Sequence, residues 1–392
     1  MAWPFASKSP LTSNLVEKSA SPSARFAFKI FRQLAAEHET RNVFFSPASV
    51  MLCLWLLQEG ATGLTRESMA TVLEVADLGA EALQSAIVEL KSALQIEAPG
   101  VQLEAANSLW CNHEWVPRSE YISKAREDYD ADVVMADFRD VETVARINSW
   151  VSAKTSGKIG NILSSLDPLA ALVAINAIYF KDLWSRPFER QLTREETFHT
   201  SDGRKEKVPL MSQWGSYPYY EESKFQAVRL RYRTSRLAMY IFLPAQRSSV
   251  AQFQQNLNAA AWDKWTQRLQ TTEGHIRLPR FKLTYEVILN SALEKLGMGI
   301  AFDRQRARFD GINPLPPEIW IGQILHRAFV EINEEGTEAA AVTATMMPLS
   351  ALRPSKPPRT FEMIVNRPFF FAICDDQTNT ILFMGSVEDP NS

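Results

Sequence analysis

Two near-continuous apolar runs constrain the fold of this chain more than any other feature. They are ALVAINAIYF at residues 171–180 and LAMYIFL at residues 237–243, and neither shows the alternation of a half-exposed strand. Each predicts a strand covered on both faces, and therefore a large sheet. Apolar residues recur at helical spacing in residues 23–36 and 141–156. Because helix and strand signals alternate without a linker or a repeat, we expect one α+β domain over residues 1–392.

The charge balance argues against partners that carry a strong negative charge. The chain has 42 Lys and Arg residues against 45 Asp and Glu residues, a net charge of −3. Such a chain has no basic field to draw it to nucleic acid or to an anionic membrane surface. It also has no apolar stretch of about 18 residues, the length that predicts a membrane span. We therefore expect no nucleic acid and no membrane among its partners.

Short motifs for enzyme chemistry are missing from the sequence. Cys53, Cys111 and Cys374 form no CxxC pair, which predicts buried thiols, and none of the five histidines belongs to an HExxH pair. No GxSxG, GxxxxGK[ST] or GxGxxG stretch is present. We expect no catalytic residues, no metal and no cofactor, and hence no enzyme. A catalytic site assembled from residues far apart in the chain is the alternative.

The lack of secretory features in the sequence favours a cytoplasmic location. The first residues lack the apolar core of a secretory signal, and no N-x-Ser/Thr glycosylation acceptor occurs in the chain. An extracellular location is the alternative if a signal has been removed.

Residues 336–358 do not fit a core. They read GTEAAAVTATMMPLSALRPSKPP, which contains no large apolar face, and a connection of this length is normally functional. As a strand, the stretch would place only Thr337, Ala339, Ala341, Thr343 and Thr345 on one face, all small and uncharged. That face could enter a sheet without burying a charge. A flexible linker or a helix, which alanine favours, is an equal alternative from composition alone.

Seven segments together resemble the signature segments of serpins, in family order across nearly the whole chain. They are NVFFSPASV (42–50), INSWVSAKTSGKI (147–159), INAIYFKDLWSRPF (175–188), KVPLM (207–211), HRAFVEINEEGTEAAAVTA (326–344), NRPFFFAI (366–373) and ILFMGSVEDP (381–390). The resemblance implies a metastable serpin fold of three β-sheets and eight to nine helices, with residues 336–358 as an exposed reactive-centre loop. The stretch EEGTEAAA is typical of inhibitory members.

For an inhibitory member, the resemblance implies suicide-substrate inhibition of an endopeptidase. The protease cuts the loop, and the cut loop inserts into the main sheet and traps the acyl-enzyme. A non-inhibitory serpin that acts as a carrier, chaperone or storage protein is the alternative. Such members often carry charged or bulky residues on the inserting face, and this chain has none. We expect the protein to be a monomer.

The resemblance also assigns roles to three groups of residues. The hinge, where the loop begins, is Glu334, Glu335, Gly336, Thr337, Glu338, Ala339, Ala340 and Ala341. The shutter, a hydrogen-bonding cluster where strands must part, is Ser46, Ser49, Asn176 and His326. The breach, at the top of the opening sheet, is Trp184, Arg280 and Glu334. Ordinary core packing or a surface ion pair would equally explain several of these residues.

Two positions near the hinge, Thr337 and Asp182, raise questions about local geometry. Thr337 should be the first loop side chain to enter the sheet, and we expect it to be exposed before cleavage. Asp182 stands where the family usually has glycine, which leaves the local turn undetermined.

The reactive bond follows from a family count. Counting seventeen residues from Glu334, both ends included, places it at Ser350–Ala351, with Leu349, Leu352 and Arg353 as alternatives. Pro354 disfavours cleavage after Arg353 by trypsin-like enzymes. The remaining side chains indicate an elastase-, chymotrypsin- or subtilisin-like serine protease, or a papain-like cysteine protease, as the partner.

Overall fold

The computed structural model describes residues 20–37, 40–315, 319–337 and 360–392. Within these ranges there are nine α-helices: α1 (Pro22–Glu37), α2 (Pro47–Gly60), α3 (Gly63–Val72), α4 (Ala80–Leu94), α5 (Ser119–Tyr129), α6 (Val141–Lys154), α7 (Val250–Asn256), α8 (Ala259–Thr266) and α9 (Asn290–Leu293). Short turns of other helix types occur at residues 190–192 and 294–302. Both helices expected from apolar periodicity are present as α1 and α6.

Fifteen strands occur in the same ranges. They are β1 (Val43–Phe45), β2 (Gln102–Asn112), β3 (Ala131–Ala136), β4 (Leu172–Leu183), β5 (Arg194–His199), β6 (Lys205–Glu222), β7 (Phe225–Arg231), β8 (Leu237–Pro244), β9 (Gln270–Pro279), β10 (Phe281–Ile288), β11 (Ile321–Ile332), β12 (Gly336–Thr337), β13 (Phe361–Ile364), β14 (Phe369–Asp375) and β15 (Thr380–Val387).

The main sheet has six strands in the order β10-β11-β12-β4-β2-β3. The first apolar run forms β4, and its residues from Leu172 to Phe180 are all buried, as expected of a strand covered on both faces. Strands β4 and β11 pair directly and in parallel below the short β12, with Leu172 opposite Ile321 and Tyr179 opposite Phe329. The seam between β4 and β11 is therefore closed along most of its length.

The other nine strands form a continuous ladder that has two parts. Strands β1, β15, β14, β8 and β7 make one part, and β5, β9 and β13 belong to the other. The long strand β6 joins them, because it pairs with β5 and β9 along most of its length and with β7 only at its end. Together with the main sheet, these parts give the expected α+β fold of three sheets.

A cap fixes where α2 begins, directly after β1. Ser46 is the N-cap residue, and its side chain accepts a hydrogen bond from the backbone N–H of Ser49. Pro47 occupies the first turn, where a missing N–H costs nothing. The cap therefore holds two predicted shutter serines in fixed positions under the main sheet.

Cys53, Cys111 and Cys374 are all buried free thiols, as predicted. Among the residues that the structure describes, we find no helix long and apolar enough to cross a membrane.

Candidate functional site

The first two loop residues lie inside the main sheet as β12. Gly336 is opposite Leu183 of β4, while Thr337 is opposite both Asp182 of β4 and Ile332 of β11. Gly336 has a φ of +153°, and a Cβ atom added there would lie 2.3 Å from the carbonyl oxygen of Asp182. Only glycine fits this conformation and this approach to β4.

Thr337 differs from our expectation that it is exposed in the uncut protein. It is fully buried between β4 and β11, and its Oγ1 lies 2.8 Å from the Tyr232 hydroxyl. Burial raises the pKa of Tyr232 far above its ordinary value, so the phenol stays neutral. Thr337 enters the sheet before cleavage because a buried hydroxyl partner and two strand edges are available to it.

Asp182 takes the place of the family's glycine without disturbing β4. Its carboxylate is buried, and it accepts hydrogen bonds from the backbone N–H of Leu183 at 2.7 Å and from the Thr234 hydroxyl at 3.0 Å. Burial raises the pKa of Asp182 despite these donors. A buried acidic group therefore stands directly opposite Thr337 where the loop enters.

Trp184 connects β4 to the start of the loop. Its indole Nε1 donates to the carbonyl of Asn333 at 2.9 Å, and its backbone N–H donates to the carbonyl of Glu335 at 2.8 Å. Its ring stacks on Tyr232 with 4.6 Å between centroids. The same tryptophan thus holds the residues before Gly336 and supports the partner of Thr337.

Glu334 and Arg280, two of the predicted breach residues, form an ion pair. The Glu334 carboxylate contacts the Arg280 guanidinium and accepts a hydrogen bond from the Thr193 hydroxyl at 2.7 Å. Burial alone would raise the pKa of Glu334, but these donors lower it below its ordinary value. The carboxylate is almost completely buried, so this pair differs from an exposed surface ion pair.

Glu335 has a separate partner. Its carboxylate pairs with Arg190, whose side chain is mostly exposed. Three contacts of the hinge and breach, through Thr193, Arg190 and Tyr232, were not expected from the sequence. These residues come from other segments, and no spacing pattern relates them to the loop.

The shutter residues meet under the closed seam. Asn176 of β4 and His326 of β11 are opposite each other, and the side-chain oxygen Oδ1 of Asn176 contacts Nδ1 of the His326 ring. The side-chain nitrogen Nδ2 of Asn176 donates to the Ser49 hydroxyl at 2.6 Å and also contacts the side-chain oxygen of Asn107 on β2. All these side chains are buried, and Asn107 is a member that the sequence did not indicate.

The hydrogen bonds of His326 fix its tautomer. Its Nε2 accepts from the backbone N–H of Ser46 at 3.2 Å, so the ring proton is on Nδ1 and is donated to Asn176. Complete burial lowers the pKa of His326 to about 3. The ring is therefore neutral at ordinary pH, and it links α2 to both strands that must separate.

The far end of the loop is fastened by β13. Phe361 begins a four-residue parallel pairing with β9, and its ring stacks on Tyr219 with 3.9 Å between centroids. A Cβ atom at Gly274 would lie 2.3 Å from this ring. Gly274 thus opens a socket for Phe361.

Several predicted positions lie outside the described residues. They are the hinge residues Glu338, Ala339, Ala340 and Ala341 and the candidate reactive-bond residues Leu349, Ser350, Ala351, Leu352 and Arg353. In the ranges that are described, no cluster of three His, Cys, Asp or Glu side chains could hold a metal ion.

Comparison with known proteins identifies the family. The family model Serpin (serine protease inhibitor) matches residues 21–390, so the chain belongs to the serpin family, whose members characteristically carry a reactive loop and change conformation. Leukocyte elastase inhibitor A of Rattus norvegicus is 30% identical over 96% of this chain and 100% of its own length.

Solved structures agree with this family. Tengpin, a thermophilic serpin in its native state, superposes with a TM-score of 0.86 at 27% identity, covering 99% of this chain and 96% of its own. Thyroxine-binding globulin in complex with thyroxine reaches 0.85 at 25% identity, covering 96% of this chain and 100% of its own. The similar proteins therefore include a named elastase inhibitor and a named thyroxine-binding protein.

Proposed function

We propose that this protein is a suicide-substrate inhibitor of endopeptidases. The nucleophile of the protease attacks the carbonyl carbon of Ser350, the bond to the nitrogen of Ala351 breaks, and Ala351 leaves with a new amino terminus. Ser350 stays esterified to the protease, or thioesterified to a cysteine enzyme. The cut loop then inserts between β4 and β11 before water can release it.

The observation that carries this proposal is the position of Thr337. It is buried between β4 and β11 and runs antiparallel to both strands at the upper end of their closed seam. A strand extended from this point would follow the seam directly. The small alternate side chains after Thr337 would enter with no charge to desolvate.

Insertion gains backbone pairing. The direct pairing of β4 with β11 is parallel from Leu172 and Ile321 upward, whereas an inserted strand is antiparallel to both. One parallel ladder is replaced by two antiparallel ladders, which are slightly more stable per residue. The buried contacts of Asn176 with His326 must break when the seam opens, so the shutter resists opening until the loop replaces it.

The second candidate is a non-inhibitory carrier, supported by the similarity to thyroxine-binding globulin. Incubating the intact protein with a panel of elastase-, chymotrypsin-, subtilisin- and papain-like enzymes separates the two functions. We expect a complex that survives boiling in detergent with at least one of them. Clean cleavage of the loop by every enzyme without such a complex would favour the carrier.

A further inference from the structure

A cleft opens where the two parts of the nine-stranded ladder join. Strand β6 pairs with β9 along residues 210–219 but with β7 only along residues 219–222. Upstream of this point the chain around Ser185 crosses between β6 and β7, and the N–H of Ser185 donates to the carbonyl of Arg231 at 2.9 Å. The space that remains has a volume of about 290 Å³.

Three arginines line this cleft, and none of the other described residues that line it carries a carboxylate. They are Arg186, Arg229 and Arg231. Arg229 is paired with Asp376, which lies outside the lining, but its Nε is buried and has no hydrogen-bond acceptor among the described residues. Arg186 and Arg231 are exposed, and neither forms an ion pair with another residue that the structure describes. The cleft therefore carries a positive charge that its own walls do not neutralise.

Residues of β6 hold Arg186 in its position. A Cβ atom at Gly215 would lie 2.5 Å from Nη1 of Arg186 and 2.9 Å from the end of the Tyr217 ring, so the glycine makes room for both. Gln213 donates to the carbonyl of Pro187 at 2.6 Å and accepts from the Tyr217 hydroxyl at 2.6 Å. These contacts fasten the turn that carries Arg186 onto the strand.

Three aromatic residues, Trp184, Phe188 and Tyr217, form part of the remaining walls, beside small polar and aliphatic residues. Guanidinium groups bind carboxylates through paired, charge-assisted hydrogen bonds, and aromatic walls favour a flat ring. We propose that this cleft is a binding site for a small aromatic carboxylate. The volume suits a molecule of one or two fused rings.

Trp184 couples the cleft to the start of the loop. One side of this residue lines the cleft, while its N–H groups hold Asn333 and Glu335. A bound carboxylate therefore stabilises the arrangement in which the hinge is docked, and by linkage a change at the hinge alters its affinity. Binding itself is independent of the proposed inhibition, and only an effect on protease trapping depends on it.

Calorimetric titration of the intact protein tests the site. The probes are 2-naphthoate and its neutral match, 2-naphthamide. We expect 2-naphthoate to bind with a Kd below about 1 mM and the amide to bind at least about tenfold more weakly. The double variant Arg186→Gln with Arg231→Gln should lose about tenfold or more in affinity for 2-naphthoate. Arg247→Gln, at an exposed arginine outside the cleft, should bind like the wild type.

Three results would overturn the proposal. They are no binding of 2-naphthoate at about 10 mM, equal binding of the amide, or an equal loss in the Arg247→Gln control. Because all three concern the uncut protein without protease, they leave the proposed inhibition untouched, and failure to trap proteases leaves the site untouched.

Discussion

Replacing Thr337 by glutamate tests how the loop inserts. The substitution places a second carboxylate opposite the buried Asp182, because the two positions are paired across β12 and β4. Two carboxylates about 5 Å apart repel by about 3 kcal/mol at an effective dielectric constant of about 20. Desolvation of the new charge adds to this cost. Arginine is a weaker test, since Asp182 could neutralise it.

In the uncut variant, residue 337 can leave the sheet and relieve this repulsion, whereas insertion of the cut loop must return it to the position opposite Asp182. The cost therefore falls on insertion and not on cleavage. If half of the roughly 3 kcal/mol repulsion is felt in the transition state, insertion slows about tenfold. Hydrolysis of the acyl-enzyme is unchanged, so the ratio of cleaved inhibitor to trapped complex should rise about tenfold. Denaturing gels of reactions with a susceptible protease measure both products.

Thr337→Val is the matched control. It keeps the shape and removes only the hydroxyl, which leaves the Tyr232 phenol without its partner at 2.8 Å. We expect the uncut protein to lose about 1–3 kcal/mol of stability while trapping stays close to that of the wild type. If the glutamate and valine variants partition alike, or if glutamate leaves the ratio unchanged, Thr337 does not enter the sheet with the cut loop.

Three further outcomes follow from the same site. Acidification should destabilise the uncut protein by about 1.4 kcal/mol per pH unit below about 6.5, because the unfolded chain then binds a proton that His326 refuses until about pH 3. In denaturant melts across this pH range, the free energy of unfolding of His326→Gln should fall less with acidification than that of the wild type. An equally steep fall would contradict this assignment. Gly336→Ala should undock the hinge, since its Cβ meets the Asp182 carbonyl at 2.3 Å, and unchanged protection of the Thr337 amide from hydrogen exchange would refute it. Cutting the loop should raise the melting temperature sharply and produce a C-terminal fragment that begins at Ala351 and separates on denaturation. Mass spectrometry that finds Arg353 or Pro354 at its start would contradict the count from Glu334.

The sequence predicts the strands and the family better than the environment of the hinge. The run of residues 171–180 predicts β4 because no exposed strand tolerates so many apolar neighbours. The burial of Thr337 in the uncut protein was not predictable. The alternating pattern of the loop sequence indicates which side chains can be buried, but not which of them are buried before cleavage. Tyr232 and Asn107 were missed since only the tertiary fold brings them to Thr337 and Asn176.

The socket of Phe361 holds the far end of the loop against β9. The chain after β12 runs to β13, so the whole of the uncut loop can enter the seam only if β13 leaves β9 and Phe361 leaves Gly274 and Tyr219. Escape from such packing is an unfolding step, whose rate rises about 3–6-fold per 10 °C. Lower storage temperature should therefore slow the release of Phe361 and β13 from β9.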